Sequence, residues 1–594
     1  MHENVSAEQM FEQMAQDLSW LARRAQAQGR SPETCLRLSL AAAIARHSFR
    51  CAASACLPPI ALVAVIGGAG SGKSTVTNLC IGRAVAETNP QAGYTRHPIV
   101  YVSARVSQES WCRHLFGQRL QYHAGHVPAD HDADIYQVRT PADAEGVLLQ
   151  RVMLWDCPDM TTWQAQGYVQ RLIEILGLAD IVVFVASDER YNDEIPNTFL
   201  KLLVEAGKRL VVCLTKMRPE DAQHLCSLYR EKVLAALSAQ ADGIPCLPLP
   251  HLAPEVLGRP ELAPQITHQL HSVLLTLADP LPSLRGQKQR QERSFVSAAL
   301  ATAQAVVADE LSVLSQWHQV VAAGRSQFEE RFRREYLSQE NFPRFNESMA
   351  RLVELLEIPG LSHVMRILRL PWRSLKSLLG WARSAPAVHL PEETTLRPAF
   401  AAWLDLLLHE ALRRQADHPL WVRVREELQG AWRRKLAEDF ERLLSQFARE
   451  QSQAVEALAR SIHEELAKNP LALNSLRGLK FTIEAGSVAG VVAFMGLNVW
   501  DLAWPFIIPP LVQELVELMG EQYVNAEREK ARRRQLELLQ TVLSDPLTET
   551  LVQWPIREVE SLKTAAAIGA RLPDARRQLE TWPLDAAAPP AATG

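Results

Sequence analysis

Hydrophobic positions follow two different patterns along this chain of 594 residues. Between residues 60 and 280, short apolar runs alternate with segments of helical periodicity, which is typical of a mainly parallel sheet flanked by helices. From residue 286 to 562, apolar residues recur at helical spacing through long stretches, which predicts a large all-α bundle or stalk. The strands predicted in the first region are Ala61–Ile66, Pro98–Ser103, Gln150–Trp155, Ile181–Ser187, Arg209–Leu214 and Ile244–Leu247.

Three further segments complete the predicted organisation. Residues 1–57 have helical periodicity that ends at two consecutive prolines, so an N-terminal helical segment is expected. Several prolines between residues 252 and 286 favour a linker that leaves the sheet domain. Residues 563–594 form a C-terminal segment, and its final part, residues 585–594, is rich in Ala and Pro and is expected to be disordered.

The most specific motif lies directly after the first predicted strand. Residues Gly67–Ser74 satisfy the pattern G-x-x-x-x-G-K-[ST] of a phosphate-binding loop. Glycines allow consecutive N–H groups to converge on an anion, and the helix that follows adds a favourable dipole. Lys73 is expected to reach the β- and γ-phosphates, and the Ser74 hydroxyl to bind Mg²⁺. The remaining predicted nucleotide-binding residues of this loop are Gly68, Ala69, Gly70, Ser71, Gly72 and Thr75.

Two more positions are candidate ligands of the metal ion. Asp156 ends the third predicted strand, where a carboxylate coordinates Mg²⁺ directly or through water. Thr95 precedes the second predicted strand, where a switch loop can bring a hydroxyl to Mg²⁺ and the γ-phosphate. We therefore predict Ser74, Thr95 and Asp156 as metal ligands, and Lys73 and Thr95 as catalytic residues.

Together these motifs resemble the dynamin-like branch of the translation-factor-type GTPases. Asn78-Leu-Cys-Ile-Gly82 is similar to the helix after their first loop, and Thr95-Arg-His-Pro-Ile-Val100 to their switch threonine region. Asp156-Cys-Pro-Asp-Met-Thr161 is similar to their D-x-P-G-M-T, and Thr215-Lys216 matches the first half of their T-K-x-D. The order and spacing agree over roughly residues 60–250.

The resemblance implies an α/β P-loop GTPase domain that binds guanine nucleotide with Mg²⁺ as the cofactor. It places Asp159 near the γ-phosphate, and Thr215 and Lys216 near the base. It also implies homodimerisation through this domain and coupling of the nucleotide state to a helical, membrane-associated stalk.

Four residues depart from the family pattern. Asp159 replaces the glycine of D-x-P-G, Ala69 and Gly70 replace a Gln-Ser pair within the first loop, and Arg218 replaces the last aspartate of T-K-x-D. Ala69 and Gly70 have no polar side chain with which to position water, and arginine has only donors. The expected activity is therefore slow GTP hydrolysis that self-assembly can stimulate. The alternatives are a nucleotide-binding scaffold with little hydrolysis and an Era-like GTPase of ribosome assembly. Because Arg218 stands in place of the base-reading aspartate, the motif leaves both GTP and ATP open as the nucleotide.

Two segments of the helical half are candidates for membrane contact. Residues 361–383 carry apolar and basic residues on different helix faces without any Asp or Glu, which favours contact with an anionic membrane surface. A packed amphipathic helix inside the bundle is the alternative. Residues 485–512 have Asp501 as their only charge, which favours a buried helix pair, with a hairpin dipping into one leaflet as the alternative.

Composition narrows the choice of partners and compartment. A net charge of −4 and the lack of a basic G-x-x-G module give no reason to expect DNA or RNA binding. The nine cysteines include no C-x-x-C pair, and the N-terminus has no apolar signal segment. We therefore expect a cytoplasmic protein that associates peripherally with the inner face of the cell membrane.

Overall fold

The fold was analysed in a computed structural model. The structure describes residues 7–53, 57–87, 97–104, 115–116, 119–123, 133–141, 148–158, 166–187, 194–235, 243–338, 343–356, 391–477, 509 and 511–583. These residues form two compact units, one comprising residues up to 310 and from 565 onward, the other comprising residues 311–564. The first unit contains an α/β sheet and the second is helical, which confirms the predicted fold class.

The sheet of the first unit has eight strands in the order β3-β4-β2-β5-β1-β6-β7-β8. All neighbouring strands are parallel except β2 and β5, which are antiparallel. The strands are β1 (Ala61–Gly67), β2 (Ile99–Tyr101), β3 (Gln121–Tyr122), β4 (Ile135–Arg139), β5 (Val152–Asp156), β6 (Ile181–Ser187), β7 (Arg209–Met217) and β8 (Cys246–Pro250).

Burial explains which strands the sequence predicted. β1, β5 and β6 are buried at every residue, because helices cover both faces of a parallel sheet, and such strands consist of continuous apolar runs. β3 and β4 were not predicted. β3 has only two residues, and β4 alternates apolar residues with Gln137 and Arg139, so neither forms a continuous apolar run.

The described helices of the first unit surround this sheet, and one expectation about them was wrong. The region between residues 252 and 286 is not a linker but mainly helix. Pro254, Pro260 and Pro264 each lie in the first turn of a helical element, where proline's fixed φ is favourable and its missing N–H costs nothing. The longer helices are α1 (Ala7–Ala27), α2 (Pro32–Ala43), α3 (Lys73–Ile81), α4 (Gln166–Leu178), α5 (Glu194–Glu205), α6 (Ala222–Tyr229), α7 (Pro264–Ala278), α8 (Leu281–Phe332) and α16 (Glu560–Thr581).

The second unit is a helical bundle with an aromatic core. The Trp317 indole N–H donates to the Leu551 carbonyl over 2.8 Å, and the Trp432 and Trp554 rings stack with centroids 4.2 Å apart. Gly430 lies between two consecutive helices of this unit, Pro419–Leu428 and Ala431–Ala467. This unit contains the C-terminal part of α8. Its other named helices are α9 (Pro343–Leu355), α10 (Pro391–Arg413), α11 (Pro419–Leu428), α12 (Ala431–Ala467), α13 (Pro470–Arg477), α14 (Glu521–Leu538) and α15 (Asp545–Glu558).

One described helical stretch, Leu281–Leu337, is long and apolar enough to cross a membrane by length and composition. Its apolar face is buried in the protein, as at Val296, Ala299 and Val321, which is the property of a core helix. The candidate membrane segment 361–383 and the tail 585–594 lie outside the described residues. Of the segment 485–512, only residues 509, 511 and 512 are described, as helix.

Buried ion pairs between side chains lie at the amino end of the central strands. Asp180 precedes β6 and is fully buried, and its Oδ2 accepts a hydrogen bond from the Leu62 N–H of β1 over 3.0 Å. Lys288 Nζ of α8 donates to Asp180 Oδ1 over 2.7 Å, and Arg285 reaches the same carboxylate at 3.3 Å. Burial favours the neutral acid, but the charges of Lys288 and Arg285 outweigh it and hold the pKa of Asp180 well below its usual range. The first turns of α8 are thereby fixed to β1 and β6.

A second buried pair extends this cluster. Lys208 Nζ, which is fully buried before β7, donates to Glu292 Oε1 over 2.6 Å, and the Ser48 hydroxyl donates to Glu292 Oε2 over 2.6 Å. Lys208 also donates to the carbonyls of Gly177 and Ala179. Each of these ions has its charge and hydrogen-bonding groups occupied by protein, which is the condition for keeping ions in a low-dielectric interior.

Candidate nucleotide-binding site

The phosphate-binding motif forms a loop between β1 and α3. Its glycines Gly70 and Gly72 have φ values of +70° and +93°, a left-handed conformation that glycine adopts without steric cost. Lys73 Nζ folds back over the loop and donates to the Gly68 carbonyl over 3.0 Å. The N-terminus of α3, which begins at Lys73, therefore opens directly onto the loop, an arrangement that attracts anions.

The first glycine of the motif is required by packing. A Cβ atom at Gly67 would overlap the carbonyl oxygen of Val185 in β6 and would lie 2.6 Å from Ser71 Oγ. Any larger residue would push the loop away from the sheet. The chain can therefore turn sharply at Gly67 only because that residue has no side chain.

Two predicted metal ligands lie next to each other at this end of the sheet. Asp156 ends β5, whose residues pair in parallel with β1, and it is 1% exposed. Ser74 lies in the first turn of α3, and its hydroxyl donates to Asp156 Oδ2 over 3.0 Å. The fold thus brings together two oxygen ligands that are 82 residues apart in the sequence.

Two side chains next to Asp156, those of Tyr101 and Cys157, stay uncharged at neutral pH. Burial raises the pKa of Tyr101 in β2, and the Asp156 carboxylate raises it further. Burial likewise raises the pKa of the adjacent Cys157 thiol well above its ordinary value, with Asp156 adding to the effect. Tyr101 and Cys157 therefore add no negative charge beside Asp156 at neutral pH.

The Thr215-Lys216 motif ends β7 beside the phosphate-binding loop. Thr215 Oγ1 donates to the Ser71 carbonyl over 2.7 Å, which ties this motif to the loop. Lys216 has φ +61°, the one positive φ of a non-glycine residue in the described part of the chain, and a β-bulge interrupts the pairing with β8 here. Lys216 is exposed, as is Arg218 two residues later, so both cations are presented at the carboxyl end of the sheet.

Asn78 supports the site, and only its place in the sequence motif had indicated it. Its amide oxygen accepts hydrogen bonds from the N–H groups of Val85 and Ala86, over 2.9 and 2.7 Å, and its amide nitrogen donates to the Ala86 carbonyl. The residue is buried and fixes the chain that leaves α3. A buried Asn that caps a loop in this way has no distinctive sequence signal, because its partners are backbone groups.

The structure therefore collects most of the predicted site at the carboxyl ends of β1, β5 and β7. Residues Gly67–Thr75, Asp156, Thr215 and Lys216 lie at this end of the sheet. Thr95 and Asp159 lie outside the described residues. In open α/β sheets, this edge is where ligands bind.

A parallel sheet with a glycine-rich loop, a lysine and a helix N-terminus at its carboxyl edge defines the P-loop nucleotide-binding class. Residues 62–216, about a quarter of the chain, match the family of the 50S ribosome-binding GTPase. This stretch is thus a P-loop GTPase domain, as predicted, and the chain carries the GTP hydrolase domain of that class.

Comparison with solved structures finds bacterial dynamins. One is described as an oligomerised bacterial dynamin pair that provides a mechanism for the long-range sensing and tethering of membranes. It is 13% identical in sequence, the TM-score is 0.38, and the match covers 92% of this chain and 95% of that chain. Another, the LeoA bacterial dynamin GTPase from ETEC, is 12% identical with a TM-score of 0.25, covering 96% of each chain. No curated protein matches the chain.

Proposed function

We propose that this chain is a Mg²⁺-dependent, dynamin-like GTPase that couples its nucleotide state to a helical region at a membrane surface. The observation that carries the proposal is the 3.0 Å approach of Ser74 Oγ to Asp156 Oδ2 beside the phosphate-binding loop. The fold places both oxygen groups beside the loop, at the position where a metal ion bound to the phosphates would take them as ligands.

The residues fit magnesium. Mg²⁺ takes oxygen ligands at about 2.0–2.1 Å in an octahedron, so neighbouring ligands lie about 2.9 Å apart. The Ser74 hydroxyl and the Asp156 carboxylate supply two such oxygens at a closely similar separation. When bound, the ion neutralises the charge that develops on the β- and γ-phosphates. Thr95 is proposed as a third ligand.

The chain's own groups hold the nucleotide. The N–H groups of residues 68–75 surround the phosphates, and Lys73 leaves the Gly68 carbonyl to contact them. The aliphatic stem of Lys216 packs against the base. Its neighbour Thr215 holds this part of the chain to the phosphate-binding loop through the hydrogen bond to Ser71. Asp159 is proposed to lie near the γ-phosphate, where its N–H group is available as a donor.

The dynamin-like assignment rests on the order of the parts as well as on the sequence motifs. Helices precede the GTPase domain at Ala7–Ala27 and Pro32–Ala43, and long helices follow it to Thr581. We propose that residues 361–383 contact an anionic membrane surface, because they combine an apolar face with a purely basic one. Homodimerisation through the GTPase domain and a cytoplasmic, peripheral location belong to the same proposal.

Phosphate release by the purified full chain tests the GTPase proposal. We expect slow release from GTP that requires Mg²⁺, exceeds release from ATP, rises with anionic vesicles and is absent in Lys73→Ala. Release that persists in Lys73→Ala would mean that this loop is not the active site. Faster release from ATP than from GTP would overturn the guanine assignment.

Flotation with vesicles tests the membrane part separately. The full chain should float with vesicles that contain anionic lipid and not with neutral ones. Changing Arg366, Arg369 and Arg373 together to Glu should abolish flotation while leaving nucleotide binding intact. Flotation that is unaffected by the three changes would remove segment 361–383 from the proposal.

A specific observation favours a second candidate, a nucleotide-binding scaffold. Ala69 and Gly70 in the loop carry no polar side chain, and Arg218 offers donors where an acceptor would read guanine. Such a scaffold would bind GTP and Mg²⁺ with the same residues but release no phosphate, even at high protein concentration with vesicles.

A further inference from the structure

A groove among three helices of the second unit has features of a ligand site that the nucleotide chemistry does not use. It lies between α9, α12 and α14 and has a volume of about 450 Å³. Pockets for small molecules span about 300–1,000 Å³ and combine an apolar lining with a few placed polar groups. The groove is therefore large enough for one small molecule.

One wall of the groove is apolar. It is formed by Ala454, Val455 and Leu458 of α12 and by Ala531 and Leu538 of α14. Val455 and Leu538 are each 3% exposed, and the other three are partly buried. These side chains offer no hydrogen-bonding groups, so this wall suits a hydrocarbon chain.

Buried polar side chains connect the three helices at the groove. Arg344 of α9 donates through Nη2 to Gln451 Oε1 over 3.1 Å, and Gln451 Nε2 donates to Gln535 Oε1 over 2.5 Å. Gln535 is 3% exposed and lines the groove together with Arg344. Its oxygen is occupied by Gln451, and its amide nitrogen has no hydrogen-bond partner within the described ranges. The Gln535 amide is thus available to donate a hydrogen bond to a molecule in the groove.

More cations than carboxylates line the groove itself, and Arg344 pairs with Glu347 of its own helix. Arg344, Lys530 and Arg534 line it, against Glu450 as the one lining carboxylate. Arg534 makes an exposed ion pair with Glu537 of its own helix at 3.2 Å, and the exposed Lys530 pairs at 3.6 Å with Glu527, which is 14% exposed. An exposed pair such as that of Arg534 contributes only about 0–1 kcal/mol, so this cation can turn towards an incoming anion, with Lys530 beside it.

We propose that this groove binds a single phosphorylated amphiphile. Its anionic head lies against the Gln535 amide, Lys530 and Arg534, where charge-assisted hydrogen bonds favour phosphate oxygens. Its apolar chain lies along Leu458 and Ala531. The groove thereby gives the helical unit a ligand site that is separate from the phosphate-binding loop and independent of nucleotide.

Octyl phosphate, used below the concentration at which it forms micelles, tests the proposal by calorimetric titration of the full chain. We expect saturable binding of one molecule per chain, weakened at least fivefold in Arg534→Glu. Arg533→Glu is the matched control, since Arg533 is an exposed neighbour that does not line the groove. Ala531→Trp, which fills the groove without changing charge, should weaken binding at least tenfold.

Four outcomes would overturn the proposal. One is no saturable binding, and another is equal weakening in Arg533→Glu and Arg534→Glu, which would indicate a general surface charge effect. If inorganic phosphate binds as tightly as octyl phosphate, the groove does not bind the apolar chain. If octyl glucoside binds as tightly as octyl phosphate, the groove does not recognise the anionic head. Vesicles of phosphatidic acid test whether the amphiphile can come from a bilayer rather than from free solution. If the groove takes up the lipid from the vesicles, Ala531→Trp must weaken vesicle binding too.

Discussion

The two ends of the β-sheet hold their charged groups in opposite ways. At the amino end, Asp180 is enclosed by Lys288, Arg285 and a backbone N–H, so every charge is matched within the protein. At the carboxyl end, Lys73 contacts a neutral carbonyl and Asp156 a neutral hydroxyl. The comparison teaches that buried ion pairs fix the fold at one edge of the sheet, whereas the loop and helix N-terminus at the other edge form a site that suits phosphate.

The largest expected effect lies at the amino end. Asp180→Ala leaves Lys288, 2% exposed, and Arg285, 13% exposed, without their carboxylate. Removing one partner of a buried pair costs about 3–5 kcal/mol, so we expect the free energy of unfolding of the sheet unit to fall by that amount. Chemical denaturation followed by far-UV circular dichroism measures it. Asp309→Ala, which removes an exposed ion pair with Arg30, should cost less than about 1 kcal/mol, and equal losses in both variants would break the comparison.

A second buried cluster makes stability depend on pH. Burial would raise the pKa of Glu174, but the hydrogen bond with His47 and the charge and hydrogen bonds of Arg46 outweigh it and lower the pKa from 4.5 to about 2. Because the folded-state pKa is depressed, this group stabilises the fold above pH 4.5, and the contribution is lost as the pH falls towards 2. The loss amounts to about 3 kcal/mol for a shift of this size.

Glu174→Gln should remove this part of the acid sensitivity and lower stability at pH 7 by a similar amount, because Arg46 loses its buried carboxylate and keeps only the more distant Glu12, at 3.8 Å, as an anionic partner. Denaturation curves between pH 7 and 2.5 measure both effects. Glu580→Gln, at an exposed ion pair with Arg576, is the control and should keep the wild-type pH profile. A wild-type profile in Glu174→Gln would contradict the assignment.

At the carboxyl end, the expected effects fall on the ligand rather than on stability. Ser74→Ala removes one proposed Mg²⁺ ligand while Asp156 remains, so we expect about tenfold weaker binding of GTP with Mg²⁺, close to 1.4 kcal/mol. The affinity measured in excess chelator should change less than twofold, and the unfolding midpoint should stay near the wild-type value. Equal weakening with and without Mg²⁺ would place the ion elsewhere.

The smallest expected effect concerns the tie between the loop and the end of β7. Thr215→Val keeps the side-chain shape but removes the hydrogen bond to the Ser71 carbonyl, worth about 1 kcal/mol. We expect about fivefold weaker nucleotide binding through a less ordered loop, with Thr276→Val as a control at an exposed threonine of α7. A titration with a fluorescent GTP analogue would show it, and unchanged affinity would mean that the loop holds its shape without Thr215.

The same contrast explains what the sequence could predict. The loop at residues 67–74 and the strands β1 and β6 carry local signals, namely glycines that permit left-handed φ values and continuous apolar runs. Asp156 was predictable because it ends such a strand. The Asp180 cluster was not, since its partner Lys288 lies 108 residues away and a charged residue before a strand ordinarily indicates a turn. The groove around Gln535 likewise depends on three helices that meet only in the folded chain.

The most direct test of the central claim is a titration of the full chain with a fluorescent GTP analogue in the presence of Mg²⁺, comparing wild type with Lys73→Ala. Lys73 donates to the Gly68 carbonyl of the loop, and we propose that it contacts the phosphates when nucleotide is bound. We predict at least about 100-fold weaker binding, equivalent to about 3 kcal/mol, with the free energy of unfolding changed by less than about 1 kcal/mol. Retained affinity, or a large loss of stability without a loss of affinity, would contradict the assignment of the carboxyl end of the sheet as the nucleotide site.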